Sequence, residues 1–275
     1  MSYNDGKVSV LMGVYNCAST VADAIHSIQA QTYRNWELII CDDGSTDNTI
    51  GIVKKETESD PRLIVLENDN NYGLNVTLNR CLKVASGEFV ARMDGDDLCK
   101  ADRFEKQTSY LEDHPEIQIV SSWMSMFDEN GEWGIQRIPE HPTKEQVVTG
   151  TPIHHAPVMM RMECLREVGG YTEDVRKLRV EDVDLWIKLY AKGYRCYNIQ
   201  EPLYAMRNDK NALNRRKFKY RINSTRTRLE GCKALHLGIG SYLRSFKPMI
   251  IGMIPAGIRR KIKKSIEKIN KKAGN

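Results

Sequence analysis

Residues 8–45 decide the fold, and they read VSVLMGVYNCASTVADAIHSIQAQTYRNWELIICDDGS. Their apolar run at 8–14 predicts a strand, the pattern at 19–31 predicts an amphipathic helix, and the run at 37–41 predicts a second strand. Short strands that alternate with helices are typical of parallel strands joined by crossover helices. This stretch therefore predicts an α/β fold built on a parallel sheet.

The alternation continues beyond residue 45. Two further helical patterns and two further apolar runs follow, at 45–57, 63–66, 73–85 and 88–91. The pattern loosens after Asp97, and from Lys210 onward only helical or irregular polar sequence follows. We therefore predict a main domain over residues 1–209 and a C-terminal helical extension over residues 210–275.

Length and composition limit the class of protein. The chain has 275 residues, of which 41% are hydrophobic, enough for a packed core. No apolar run approaches the roughly 20 residues that cross a bilayer, and the N-terminus shows no export signal. The seven cysteines are scattered and form no CxxC or Cys/His cluster. We expect a cytoplasmic protein with reduced thiols and no zinc site.

The charge is unevenly distributed. Residues 244–275 contain ten Lys or Arg and one Glu, a net charge of +9, within a total of +5. The preceding 243 residues therefore carry a net charge of −4. A nucleic-acid-binding protein would need positive charge on its working surface, so a mildly acidic body argues against that class.

Acidic residues follow two of the predicted strands. The second strand leads into DDGS at 42–45, and the fourth leads into DGDD at 94–97. Ligands of open parallel sheets bind at the carboxyl ends of the strands. A nicotinamide-dependent enzyme would show GxGxxG after the first strand, whereas GVYN stands at 13–16. The acidic ends are the better candidates for a site.

Asp94 and Asp96 are spaced to share a hard divalent cation. Carboxylates repel a diphosphate directly, but Mg²⁺ or Mn²⁺ can bind both the carboxylates and the phosphates and hold the diphosphate in place. The same cation would neutralise charge on a departing nucleoside diphosphate. A surface turn is the alternative explanation, because Asp and Gly are ordinary turn residues.

Six ordered stretches over residues 7–207 resemble a known family: VSVLMGVYN, QTYRNWELIICDDGSTDNT, NYGLNVTLN, SGEFVARMDGDD, VGGY and VEDVDLWIKL. They resemble family 2 glycosyltransferases of the GT-A fold, a mixed, mostly parallel sheet flanked by helices. The likeness is strongest to enzymes of bacterial exopolysaccharide and capsule assembly, including a biofilm type that also brakes the flagellar motor. It implies that residues 1–209 are a GT-A catalytic domain.

The resemblance also implies a donor site. Asp42 would meet the nucleobase, Asp43 would assist at the nucleoside, and Tyr15 would flank the base. Asp94 would lie near the ribose or donor sugar, and Asp96 would bind the metal. Further donor-site positions implied by the matching motifs are Gly73, Asn79 and Gly95, with Asp97 as support for the metal site.

The same resemblance implies the catalytic base. Asp182 would deprotonate the acceptor hydroxyl, and Glu181 would bind or orient the acceptor. One carboxylate base opposite the diphosphate suits a single displacement with inversion. Helix capping is the alternative explanation for both acids, because carboxylates favour a first helical turn. Asp184 is the rival base.

Two more residues are expected near the acceptor. His155 lies beside an apolar run and is a candidate contact to a sugar, although a buried structural role is the commoner one for such a histidine. Trp186 follows the base in its helix and is a second candidate, with a place in the core as the alternative.

The chain departs from the family pattern at two positions. Leu78 stands where many members have Arg, so a donor contact is missing from the pattern. Asp209 stands where many members place a His that reaches the diphosphate or metal. Arg207 then becomes the candidate that meets the diphosphate charge.

The basic C-terminus predicts a membrane contact. Ile258, Ile262, Ile266 and Ile269 share one helical face, and Lys and Arg surround the rest of that helix. Such a helix can lie in an anionic lipid surface. We therefore expect peripheral attachment to the inner face of the plasma membrane.

Together these features predict an inverting glycosyltransferase. Its donor would be a UDP-hexose or UDP-N-acetylhexosamine, where UDP is implied by the resemblance, and its acceptor a polysaccharide or lipid-linked saccharide. The alternative is a protein-interaction role on the same scaffold, of the flagellar-brake kind, with catalysis secondary or lost.

Overall fold

The computed structural model describes residues 4–58, 60–207 and 218–253. These residues form one mixed sheet with helices on both faces. The strands are β1 (Asn4–Val14), β2 (Trp36–Asp42), β3 (Leu63–Glu67), β4 (Gly87–Asp94), β5 (Leu98–Cys99), β6 (Ile119–Asp128), β7 (Gly131–Gln136), β8 (Met159–Arg161) and β9 (Cys196–Arg207).

The helices connect and cover these strands. They are α1 (Val21–Gln29), α2 (Thr49–Thr57), α3 (Leu74–Val84), α4 (Arg103–Asp113), α5 (Lys144–Thr149), α6 (Met162–Glu167), α7 (Glu181–Ala191), α8 (Phe218–Ala234), α9 (Ile239–Ser245) and α10 (Lys247–Met253), with a 3₁₀ turn at Val175–Lys177. No helix in the described ranges is both long and apolar enough to cross a bilayer.

The sheet order is β3-β2-β1-β4-β8-β6-β9-β5, with β7 paired to β6. Strands β1 to β4 are mutually parallel, β8 runs antiparallel between β4 and β6, and β9 is parallel to β6. The strands β1, β2, β3, β4, β6 and β9 therefore all point the same way. This confirms the mixed, mostly parallel sheet, and it brings the carboxyl ends of these strands to one edge.

Two apolar layers enclose the sheet because consecutive strand residues point to opposite faces. In β1, Val10 and Met12 pack into one layer with Phe89, whereas Leu11 packs into the other with Leu78. All seven residues of β2 are buried. A strand covered on both faces is mainly apolar, and the run at 38–41 made β2 recognisable, whereas the buried Glu37 is held by Lys7 and Ser9.

Some elements differ from the sequence prediction. The helix predicted at 45–57 begins only at Thr49, because residues 43–48 form the loop after β2. Strand β9 was missed altogether, since Pro202 and polar residues interrupt its apolar pattern. It pairs with β6 through register shifts on either side of Trp123. These shifts let β9 continue to Arg207.

The C-terminal helices pack on the main domain. Cys232 in the last turn of α8 and Leu235 just after it belong to the same buried cluster as Trp186 and Leu189 of α7. A Cβ at Gly231 would lie 2.5 Å from the Ile187 side chain, so glycine permits this close approach of two helices. The predicted boundary between residues 209 and 210, Asp209 itself and the predicted basic helix at 258–269 all lie outside the described residues.

Candidate active site

Three predicted site residues are the last residues of their strands. Asp42 ends β2, Asp94 ends β4 and Arg207 ends β9. The register pairs Val14 of β1 with Asp42, and Gly13 with Asp94. The parallel direction of these strands therefore gathers the residues at one edge of the sheet, where α/β proteins bind ligands.

An acidic cluster lies at this edge. Asp94, Asp96 and Asp97 each present a carboxylate oxygen, and these oxygens lie within 4.8 Å of one another. Gly95 makes the turn possible, because a Cβ there would lie 2.8 Å from the Val14 side chain and 3.0 Å from Cys17 Sγ. Asp96 is exposed at the rim of the cluster, and Asp97 is buried beneath it.

The cluster concentrates negative charge. Burial, together with the charges of Asp94 and Asp96, raises the pKa of Asp97 from 3.8 to about 8. Desolvation and the Asp94 charge likewise raise the pKa of Asp96. Three hard oxygen donors that repel one another fit a divalent cation, which would relieve that repulsion. The donor set matches Mg²⁺ or Mn²⁺ and contains no soft ligand.

The raised pKa of Asp97 predicts how stability depends on pH. Asp97 binds a proton more tightly in the folded than in the unfolded chain, so the free energy of unfolding falls as pH rises from about 4 towards 8. We expect Asp97→Asn to lose less thermal stability than the wild type between pH 5 and pH 8.5, measured without metal. One unit of pKa shift is about 1.4 kcal/mol, so the difference should be at least about 2–4 °C. If the melting temperatures of the two proteins changed with pH in the same way, this would contradict the burial of the Asp97 charge.

Arg92 is a site residue that the sequence reasoning missed. Its buried guanidinium pairs with both oxygens of Asp94, and Nη1 lies 2.9 Å from Asp94 Oδ2. Its buried Nε has no hydrogen-bond partner among the described residues. Burial lowers the pKa of Arg92, but the neighbouring Asp94 charge outweighs this and keeps the pKa above its usual value. Arg92 therefore places a permanent positive charge beneath the cluster.

The DDGS loop positions two carboxylates differently. Asp42 accepts hydrogen bonds from Ser45 N at 2.9 Å and Ser45 Oγ at 2.5 Å, so its carboxylate stabilises the turn at residues 42–45. Asp43 accepts bonds from Asn68 Nδ2 and from the backbone N–H groups of Tyr72 and Gly73, at 2.7–2.9 Å. The Asp43 carboxylate thus holds the loop before α3.

Gly73 and Tyr15 border this loop. Gly73 has φ +94°, a conformation that favours glycine, and it begins the turn into α3. Tyr15 follows β1 and is 48% exposed. Its ring is therefore available to a planar ligand, and flanking a nucleobase stays a prediction for this residue.

Asn79 faces a different part of the molecule. Its Nδ2 donates to the Tyr171 carbonyl and to Glu173 Oε1, and its Oδ1 accepts from the Tyr171 N–H, all at 2.7–2.8 Å. The amide therefore holds the loop at 171–173. The predicted donor contact would require at least one of these bonds to break.

The first turn of α7 carries the two predicted catalytic acids. Burial raises the pKa of Asp182, although the charges of Arg92 and Arg228 act in the opposite direction. Burial and the Asp182 charge raise the pKa of Glu181. Within the described ranges, no other side chain hydrogen-bonds or forms an ion pair with the Asp182 carboxyl. Asp182 is thus a carboxylate of raised basicity that accepts backbone hydrogen bonds but has no side-chain partner among the described residues.

Asp184, the rival base, is fully engaged. Its Oδ2 accepts a bond from Thr172 Oγ1 at 2.6 Å, and its Oδ1 pairs with Lys177 Nζ at 2.8 Å. The residue is buried and ties the 172–177 loop to α7. These contacts favour a structural role.

The two candidate acceptor contacts differ in accessibility. His155 is partly buried, and a ring nitrogen lies 2.8 Å from the Tyr171 hydroxyl. Burial and the nearby Arg92 charge lower the pKa of His155 well below its usual value, so the ring is neutral. Trp186 is only 2% exposed and packs edge-on against His155. This burial favours the core alternative for Trp186, and its predicted sugar contact would require the ring to be uncovered.

Arg207 lies against the acidic cluster. Its backbone N–H donates to Asp97 Oδ1 at 2.7 Å, and its Nε donates to the Asp96 carbonyl at 3.0 Å. The guanidinium also lies over the Phe127 ring at 4.6 Å. A cation beside the metal-ligand candidates suits the diphosphate role predicted for Arg207, which stays a prediction.

Comparison with protein families and curated proteins gives consistent matches. The family model described as glycosyl transferase family 2 matches residues 9–168. EpsE of Bacillus subtilis, a protein named as a glycosyltransferase, is 41% identical over 98% of this chain and 96% of its own length. An Escherichia coli protein named UDP-Gal:α-D-GlcNAc-diphosphoundecaprenol β-1,3-galactosyltransferase is 28% identical over 97% of this chain and 98% of its own.

Solved structures match the fold. Residues 1–349 of Staphylococcus aureus TarS in complex with UDP-GlcNAc align with a TM-score of 0.69 and 20% identity, over 88% of this chain and 73% of that one. The Pyrobaculum calidifontis mannosyltransferase PcManGT in complex with GDP-Man and Mn²⁺ aligns with a TM-score of 0.62 and 19% identity, over 94% and 79%. These likenesses confirm the predicted GT-A fold.

Proposed function

Because the chain belongs to glycosyl transferase family 2, we propose that it transfers a hexosyl or N-acetylhexosaminyl group from a UDP-sugar, with inversion, to a lipid-linked or polysaccharide acceptor. That it is a glycosyltransferase follows from the family. The UDP donor is supported by the name of the Escherichia coli relative, which also states a diphosphoundecaprenol-linked acceptor.

The proposal rests mainly on one observation: the charge of one buried cation, Arg92, acts both on a carboxylate of raised basicity, Asp182, and on the acidic cluster. Arg92 pairs with Asp94 in the cluster, and its charge also acts on Asp182. Base and cluster therefore belong to one electrostatic unit. Asp182 would take the proton of the acceptor hydroxyl, which then attacks the anomeric carbon from the face opposite the diphosphate.

The remaining site residues would act on the leaving nucleoside diphosphate and on the acceptor. A divalent cation held by Asp96 and Asp94 would neutralise charge on the nucleoside diphosphate as it leaves. Asp94 can contribute while paired with Arg92, because each carboxylate oxygen has a second lone pair. Arg207 lies at the rim to meet diphosphate oxygens, and Glu181 beside the base would orient the acceptor. No protonated acid is needed at the leaving oxygen.

A thermal-shift panel tests the donor. We expect UDP with Mn²⁺ to raise the melting temperature by roughly 5–10 °C at about 100 times its Kd, because a ligand that binds only the folded state stabilises it. UDP alone, GDP with Mn²⁺ and dTDP with Mn²⁺ should give smaller shifts. A larger shift with GDP would overturn the choice of nucleotide. If none of the combinations produces a shift, the protein-interaction role is favoured instead.

A further inference from the structure

A continuous apolar stripe is exposed on the C-terminal helices. Ile239, Leu243, Phe246, Ile250 and Met253 are spaced by four, three, four and three residues, and each is between 42% and 77% exposed. We call this set the C-terminal apolar face. Backbone bonds from Phe246 N to Leu243 O and from Ile250 N to Phe246 O carry the helical path across the junction of α9 and α10. The spacing therefore keeps the five side chains on one side.

The opposite side of these helices is held by the main domain. Ser241 and Ser245 are buried, and Ser241 Oγ donates to Glu145 Oε1 of α5 at 3.0 Å. In α10, a Cβ at Gly252 would lie 3.0 Å from the Phe218 ring of α8. The C-terminal apolar face is thus fixed in an outward orientation by its inner contacts. A contiguous exposed apolar surface of this kind marks an interaction site.

The surrounding charge identifies the partner. Lys247 is exposed beside the face, Arg244 is exposed there and pairs with Glu145 at 2.8 Å, and residues 254–275 add eight Lys or Arg against one Glu. We propose that the C-terminal apolar face docks onto an anionic lipid surface. Its apolar side chains enter the boundary between headgroups and acyl chains, and the basic residues meet the lipid phosphates. A second copy of the chain is a poorer partner, because it would bring the same positive charge to the contact.

Helix α8, which packs against α9 and α10, contacts the loop that precedes α7. Asn223 of α8 donates from Nδ2 to the carbonyls of Val175 and Leu178 at 3.3 Å, and Lys177 pairs with Glu230 of α8 at 2.5 Å. This loop leads directly into the turn that carries Asp182. Docking would therefore act on the helix that braces this loop. The surface lies outside the candidate site, so the inference does not depend on which donor is used.

Vesicle flotation tests the proposal with the full-length chain. We expect the wild type to float with vesicles that contain phosphatidylglycerol and to bind pure phosphatidylcholine much less. The double variant Leu243→Ser/Ile250→Ser should lose at least about tenfold in the bound-to-free ratio, because two membrane-inserting side chains are removed. Its melting temperature should change by no more than about 2 °C, since both side chains are exposed in the structure. Ile135→Ser, at an exposed apolar position on β7, is the matched control and should bind like the wild type.

Three results would overturn the proposal. The first is equal flotation of the double variant and the wild type with anionic vesicles. The second is a wild type that does not float with them or that binds phosphatidylcholine equally. The third is a double variant that melts much lower and still floats, which would show that residues 254–275 or another part of the chain cover the face. The UDP and Mn²⁺ thermal shift should be the same in all variants, so failure of docking is distinguishable from failure of the proposed reaction.

Discussion

Asp182→Asn should abolish most transferase activity while leaving donor binding intact. The substitution keeps the size of the side chain but removes the group that would accept the proton of the acceptor hydroxyl. General-base catalysis contributes about 10²–10⁴-fold, so we expect kcat to fall by that factor. The measurement is sugar transfer at saturating donor, together with the thermal shift by UDP and Mn²⁺, which should be unchanged.

Asp184→Asn is the matched control for this prediction. It makes the same chemical change two residues away, in a carboxylate that already pairs with Lys177 and Thr172. We expect it to lower the melting temperature, because a buried ion pair loses one partner, and to keep kcat within about tenfold of the wild type. If Asp184→Asn lost about 10²-fold or more in kcat while Asp182→Asn kept its activity, the base role would belong to Asp184.

Asp96→Asn should remove the metal dependence of nucleotide binding. Within the described residues, Asp96 is the exposed member of the acidic cluster, and its side chain is not paired with Arg92. Loss of groups that merely orient metal ligands costs about 10–100-fold in affinity, so loss of a ligand should raise the Kd for Mn²⁺ by at least that much. Titration calorimetry with Mn²⁺ in the presence of UDP measures this directly. Activity should fall by about 10²-fold or more.

Asp23→Asn provides the comparison for Asp96. Asp23 is an exposed acid whose carboxylate lies 3.9 Å from the Arg207 guanidinium, outside the acidic cluster. The variant removes the same charge near the same arginine, and Mn²⁺ affinity should stay within about threefold of the wild type, as expected for screened surface charges. Equal losses in both variants would mean that overall negative charge, and not ligation by Asp96, holds the metal.

The sequence predicted the part of the site that follows from strand direction. Asp42 and Asp94 each follow an apolar run, and parallel strands place such residues at one edge. The same reasoning missed Arg92, because an arginine inside FVARMD looks like an interruption of a buried strand. A signal was present nevertheless, since Arg92 and Asp94 are two residues apart and therefore share one face of β4.

Features that depend on packing between distant segments were harder to predict. Asn79 binds a loop more than ninety positions away in sequence, and Trp186 is enclosed by residues from several elements. The sequence position of a tryptophan on an amphipathic helix does not show whether its side chain is buried or exposed. The exposed stripe on α9 and α10 was likewise hidden, because helical spacing of apolar residues normally indicates a face that packs inward.

The anomeric configuration of the product is the sharpest test of an in-line displacement with Asp182 as the base. If Asp182 activates the acceptor opposite the leaving diphosphate, a single displacement converts an α-linked UDP-sugar into a β-linked product. Proton NMR of the purified product distinguishes the two anomers through the coupling of the anomeric proton. We predict the β-anomer from an α-linked donor, and an α-linked product would contradict a one-base, in-line mechanism at this site.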